Sequence, residues 1–149
     1  MRVLIVEDNA FNAFCLSRLL TTVNKQVQLM VVNDSLSALN YLAENNVSFV
    51  VMDGDLGATD GLYCNGPSLA EIIWQKFPEL PIVAWSDSDA MRRAFIDVFK
   101  QYNKPFNEYT YWTKVVSQER IRQSLTYLVA QNTDKYFSRE NKEHCLPAA

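Results

Sequence analysis

A doubly wound α/β domain around a five-stranded parallel sheet is the fold this sequence predicts, on three observations. Short apolar runs rich in β-branched residues recur along the chain: VLIV (3–6), LMVV (29–32), FVVM (49–52) and IVAW (82–85). Near-continuous apolar runs of this length suit strands covered on both faces, as in a parallel sheet. Between them lie longer segments whose apolar residues recur at steps of three and four, the period of amphipathic helices. The two kinds of segment alternate, giving (βα) repeated five times.

The elements follow in order. Strand 3–6 leads into a helix carried by Ala13, Leu16, Leu20 and Val23. Strand 29–32 precedes a shorter helix over 35–45, with Leu36, Leu39 and Leu42 behind Asp34 or Ser35 as cap. Strand 49–52 opens into loop 54–66, which holds all four glycines, Gly54, Gly57, Gly61 and Gly66. This loop is either a binding loop or an insertion, which a surface loop accommodates at small entropic cost. The third helix carries Leu69, Ile72, Ile73 and Phe77, with Pro67 in its first turn. Strand 82–85 precedes a helix of Met91, Phe95, Val98 and Phe99. The fifth strand, YTYWT (109–113), is aromatic and alternating and suits a sheet edge. The last helix carries Ile121, Leu125, Leu128 and Val129 behind Ser117 as cap. Beyond about residue 131 the apolar period is lost, so residues 1–131 read as one domain and 132–149 as a polar, mobile tail. No repeat or second domain is visible.

Composition narrows the class. A chain of 149 residues can bury a single core, and 48% hydrophobic with 21% charged residues is an ordinary globular balance. A net charge of −3 argues against a nucleic-acid surface built from bulk positive charge. No stretch approaches the length of a membrane span, and VLIV is too short for a signal peptide. Cys15, Cys64 and Cys145 are odd in number and lack metal or disulfide spacing, which reads as free thiols in a reducing cytoplasm. His144, the only histidine, falls in the tail, so no histidine triad or histidine-rich metal site is available.

The acids mark the site. In open parallel sheets ligands sit beyond the carboxyl ends of the strands, where the strand order reverses. With the flavodoxin-like order 2-1-3-4-5, that point lies between strands one and three. Strand one ends in Glu7 and Asp8, and strand three in Asp53 with Asp55 just after. Two carboxylates about 4 Å apart repel by roughly 4 kcal/mol at a surface-like dielectric, which a hard divalent cation offsets. Oxygen-only ligands favour Mg²⁺, and Asp55 is counted among them, through its backbone carbonyl in preference to its side chain. An ionised aspartate can accept a phosphoryl group as an acyl phosphate, helped by a hydroxyl and a cation. Ser86 ends strand four and Lys114 ends strand five, supplying both.

With these parts in place the chain resembles the receiver domains of bacterial response regulators, through VLIVEDN, VVMDGDLG, PIVAWSDS and YTYWTK. The resemblance implies that Asp53 is the phosphoacceptor and that Glu7 and Asp8 help hold Mg²⁺. It implies that Ser86 and Lys114 contact the phosphoryl group and that Tyr111 reorients when Ser86 moves. Its implied phosphodonor is a histidine kinase or phosphotransfer protein, signalling onward to an unnamed downstream protein. The implied protein is cytoplasmic, is not itself an enzyme beyond assisting its own phosphorylation, and uses neither nucleic acid nor membrane within this chain. A homodimer is compatible with it.

Two positions depart from the family pattern. Asp87 stands where a small residue usually follows the strand-four hydroxyl, and is expected either to narrow access to Asp53 or to cap the fourth helix. Val115 stands where proline usually follows the lysine; KPF (104–106) carries a proline, but no strand precedes it, so Lys114 is preferred over Lys104. These departures motivate a rival, a receiver-like binding module that takes no phosphate. A second rival is a haloacid dehalogenase-like phosphatase built on MDGDLG, which lacks a downstream acid pair here.

Overall fold

The computed structural model of the chain describes residues 1–56 and 65–144, with side chains described through 131. The elements are β1 (Arg2–Val6), α1 (Ala10–Val23), β2 (Gln28–Val32), α2 (Ser35–Glu44), β3 (Phe49–Asp53), α3 (Gly66–Lys76), β4 (Ile82–Trp85), α4 (Asp89–Gln101), β5 (Tyr111–Trp112) and α5 (Gln118–His144). All strand pairs are parallel, in the order β2-β1-β3-β4-β5. The expected doubly wound, flavodoxin-like sheet is therefore the one observed.

Side chains alternate across the strands and so build two cores. Val3, Ile5, Phe49, Val51, Val83, Trp85 and Trp112 face Leu16 and Leu20 of α1 and Ile121, Leu125 and Leu128 of α5. Leu4, Val6, Val50, Met52, Ile82 and Ala84 face α2, α3 and α4, through residues such as Leu42, Ile73, Trp74, Phe95 and Phe99. The helices start where the sequence provides caps. Asn9, Asp34, Asn65 and Ser88 each accept a backbone N–H of the first turn, and Ser117 does the same for Arg120 at 3.0 Å.

Some expectations change. LMVV has the composition of a strand covered on both faces, but in β2, the edge strand that the expected order gives, Met30 and Val31 are 40% and 41% exposed. Leu36 and Val129 lie on solvent-facing turns of α2 and α5, whose inward positions are taken by Ala38, Leu42, Leu125 and Leu128. YTYWT forms only the short strand Tyr111–Trp112. Helix α5 continues to His144, past the boundary at 131 that the fading apolar period suggested; a polar segment rich in Lys, Glu and Arg can still propagate a helix. Cys64, Cys145, Gly57 and Gly61 lie outside the described residues, as does most of loop 54–66, and no side chain is described for His144.

Candidate functional site

The carboxyl ends of β1, β3, β4 and β5 converge at one edge of the sheet. Strand parity decides which side chains meet there. Residues 3, 5 and 7 of the first strand share a parity, as do 49, 51 and 53 of the third, and both sets point toward the α1/α5 face. Asp53 lies in register with Trp85, and Trp85 with Trp112. Lys114 lies two residues past Trp112, beyond the end of β5, and its ammonium reaches Asp53 on that face as well.

The outcome is a compact charged group. The Lys114 ammonium donates to Asp53 Oδ1 at 2.6 Å and to the two Glu7 carboxyl oxygens at 3.2 and 3.3 Å. It also sits 3.9 Å from the centre of the Trp85 ring, a cation–π contact in a largely water-excluded place. Glu7 and Asp53 are buried, whereas Asp8 is exposed. Ligand oxygens of Glu7, Asp8 and Asp53 all lie within 4.8 Å of one another, the one such acidic group among the described residues.

Burial pushes the Glu7 carboxyl up to about 8, with the hydrogen bond to Asp53 adding to the rise; a hydrogen bond from Asn12 and the charge of Lys114 oppose it.

The α4 side of the site is organised differently. Ser86 Oγ accepts the Ser88 N–H at 3.0 Å, a bond that uses a lone pair and leaves the hydroxyl proton available. The Ser86 carbonyl accepts the Tyr111 hydroxyl at 2.7 Å. Burial raises the Tyr111 pKa, in keeping with a phenol kept neutral in that bond. Asp87 does not cap α4; that position belongs to Ser88, whose hydroxyl oxygen accepts the Met91 N–H at 3.2 Å. The Asp87 carboxylate instead accepts the Lys114 backbone N–H at 2.8 Å.

Two glycines permit this packing. A Cβ on Gly66 would overlap the Asp53 carbonyl oxygen, and one on Gly54 would stand 2.8 Å from Met91 Cβ and 3.1 Å from Ser86 Oγ. Gly66 also donates its N–H to the Gly54 carbonyl at 2.8 Å, and an Asp55–Asn65 bridge closes the neck of the loop. Asp55 is exposed in that bridge, and its side chain is not part of the acidic group.

Of the residues singled out in the sequence, Glu7, Asp8, Asp53 and Lys114 come together, and Ser86, Tyr111 and Asp87 line the adjoining turn. Lys104 is elsewhere: its ammonium bonds the Pro78 carbonyl and lies 5.7 Å from the Trp74 ring centre. Trp85 and Asn12 went unnoticed as site residues. Trp85 sat inside an apolar run and read as core, and nothing marked Asn12 in the first helix.

Comparison with known proteins agrees with this fold. No curated protein sequence matches the chain. Among solved structures it is similar to the signal receiver domain of an HD domain-containing protein from Pseudomonas fluorescens Pf-5. That match has a TM-score of 0.74 at 18% identity and covers 91% of this chain and 90% of the other. It is similar to the receiver domain of NtrX from Brucella abortus, with a TM-score of 0.69 at 19% identity over 86% and 98% of the two chains. RcsB from Salmonella enterica serovar Typhimurium, solved on promoter rprA with the phosphomimetic BeF₃⁻, is similar at a TM-score of 0.67 and 20% identity, over 86% of this chain and 67% of that one. At these identities the structures establish the fold. The sequence model of the response regulator receiver domain matches residues 3–126, so the chain belongs to the response regulator receiver domain family.

Proposed function

We propose that this domain accepts a phosphoryl group on Asp53 from a histidine kinase or phosphotransfer protein, with Mg²⁺, and signals through contact with a downstream protein. The observation that carries the reading is the Lys114 ammonium bonded to both Asp53 and Glu7 beside Asp8. It joins a nucleophilic carboxylate, a fixed cation and an all-oxygen donor set in one place.

The donor set fits a hard divalent ion. Asp8 and Asp53 would hold it, with Glu7 directly or through water and the Asp55 backbone carbonyl completing the set. When bound, Mg²⁺ would offset the mutual repulsion of the acids and neutralise charge on the phosphoryl oxygens. The remaining work falls to the chain itself. A carboxylate oxygen of Asp53 forms the new bond to phosphorus as the donor's P–N bond breaks, and the electron pair leaves with the imidazole, which takes up a proton. Lys114 stays protonated throughout and shifts its bond from the Asp53 carboxylate toward the phosphoryl oxygens. Ser86 donates its free hydroxyl proton to one of those oxygens, and Tyr111 follows the movement of the Ser86 turn. The domain is thus a phosphoacceptor, not an enzyme with an external substrate, and we place it in the cytoplasm with its kinase. No described helix is long and apolar enough to cross a membrane.

Intact mass after incubation with Mg²⁺ and acetyl phosphate tests the reading. One added phosphoryl group is expected in the parent and none in Asp53→Ala. A gain that persists in Asp53→Ala sinks the assignment. A parent that takes no phosphoryl group and does not bind Mg²⁺ favours the binding-module rival. The phosphatase rival expects turnover of a phosphomonoester, and the receiver family match leaves it without support.

A further inference from the structure

The β4–β5 ladder stops at an informative rung. The Ala84 N–H donates to the Thr110 carbonyl at 2.8 Å, and the Ser86 N–H to the Trp112 carbonyl at 3.0 Å. In a parallel ladder the next bond would run from the Lys114 N–H to the Ser86 carbonyl. That carbonyl accepts the Tyr111 hydroxyl at 2.7 Å, and no bond from the Lys114 N–H reaches it. The Lys114 N–H turns instead to the Asp87 carboxylate at 2.8 Å.

From this we infer that Asp87 is a positioning residue for Lys114: its carboxylate replaces the missing rung and fixes the main chain from which the ammonium reaches Asp53. The inference rests on the reading of Asp53 as phosphoacceptor. Three features support it. Lys114 lies beyond the end of β5, which is only two residues long, so the sheet gives its main chain little support. Val115 is 91% exposed and contributes no packing to hold the turn. The Lys114 ammonium must meet Asp53 at 2.6 Å and the Trp85 ring at 3.9 Å together, which tolerates little drift of the backbone.

This role gives the opposite sign to an access role. An anion that only repelled the donor would slow transfer, and removing its charge would speed it. A carboxylate that holds Lys114 does the reverse, and only its acceptor oxygen matters.

The experiment uses the full chain and two substitutions, Asp87→Ala and Asp87→Asn, with two readouts. The first is the rate of phosphoryl gain from acetyl phosphate with Mg²⁺, followed by intact mass. The second is hydrogen exchange of the Lys114 amide, followed by NMR. Asp87→Ala is expected to slow phosphoryl gain about tenfold and to speed Lys114 exchange by a similar factor. Asp87→Asn keeps an acceptor oxygen and should stay within about twofold of the parent in both. Acceleration in both variants overturns the inference in favour of charge repulsion. Unchanged exchange and rate in Asp87→Ala overturn it as well. Slowing in both variants alike shows that charge, not the acceptor, is what counts, and also overturns it. A parent that gains no phosphoryl group fails the Asp53 reading instead, and with it the positioning role, while the exchange readout still reports whether the bond forms.

Discussion

The two halves of the site are held by different means. On the α1/α5 side, Glu7, Asp53, Trp85 and Lys114 form a buried, charge-coupled group in which each member touches at least one other. On the α4 side, Ser86, Tyr111 and Asp87 are held by single hydrogen bonds, each with a backbone group as one partner: the Ser88 N–H, the Ser86 carbonyl and the Lys114 N–H. Low dielectric strengthens the first half and makes it costly to disturb. The second half rests on single bonds, each of which one substitution can remove. A fixed charged centre beside a turn held by single bonds is the arrangement expected where chemistry on one side is to be reported as movement on the other.

Breaking the charged half should give the largest effects. Asp53→Asn removes phosphoryl gain altogether, checked by intact mass. Lys114→Ala should cut the rate at least a hundredfold, in the range seen when a fixed cation or oxyanion donor is removed, and abolish the response to beryllofluoride. Lys104→Ala should leave both nearly unchanged, since that ammonium is bonded to the Pro78 carbonyl instead. Equal losses in the two lysine variants would show that the geometry around Asp53 does not carry the reaction. Gly66→Ala tests the scaffold under the same half. Its Cβ would meet the Asp53 carbonyl, a backbone atom that cannot step aside. A loss of about 3 kcal/mol in denaturant unfolding is expected.

The charged half also predicts a pH dependence. The Glu7 carboxyl is pushed up to about 8, chiefly by burial. The proton and a divalent ion compete for the same oxygens, so apparent Mg²⁺ affinity should rise as pH rises toward 8 and level off above it. Between pH 7 and pH 9 the gain is about tenfold if Glu7 binds the ion directly. Titrations followed by tryptophan fluorescence can measure it, since Trp85 lies against Lys114. Glu7→Gln should flatten the dependence; a slope unchanged in that variant means another group supplies the proton.

The same contrast explains what was legible in the sequence. The charged half was readable because its members are chemically rare where they stand: acids and a lysine at the ends of apolar strands. Strand order then did the rest, since the switch point lies between β1 and β3. The fold was readable for a similar reason, with apolar runs and helical periods alternating throughout. Face coverage of β2 was not: the order 2-1-3-4-5 already puts this strand at the rim, but LMVV has the composition of a strand covered on both faces, whereas Met30 and Val31 are largely exposed. Asp87 was noticed as unusual, yet its partner is a backbone amide 27 residues away, and no sequence pattern marks a side chain that completes a ladder. Trp85 was hidden in the same way, since an aromatic ring beneath an ammonium looks like core until register is known.

The smallest expected effect is the most discriminating for the α4 half. Tyr111→Phe deletes the hydroxyl that occupies the Ser86 carbonyl and should cost about 1 kcal/mol of stability. It also removes a competing donor from the carbonyl that ladder geometry assigns to the Lys114 N–H. In that background Lys114 has a second choice, so Asp87→Ala should cost less than it does beside Tyr111. A double-mutant cycle should therefore give a coupling of about 0.5 to 1 kcal/mol, with the double variant more stable than the sum of the singles predicts. Exchange of the Lys114 amide should follow suit, fast in Asp87→Ala and protected again when Tyr111→Phe is added. Strict additivity would mean that β5 cannot extend by one rung, and that Asp87 holds Lys114 in a turn the sheet could not have made. Coupling of the predicted sign would mean that Tyr111 and Asp87 act as alternates around one carbonyl. Withdrawal of the Tyr111 hydroxyl from Ser86 would then be felt directly at the backbone of Lys114.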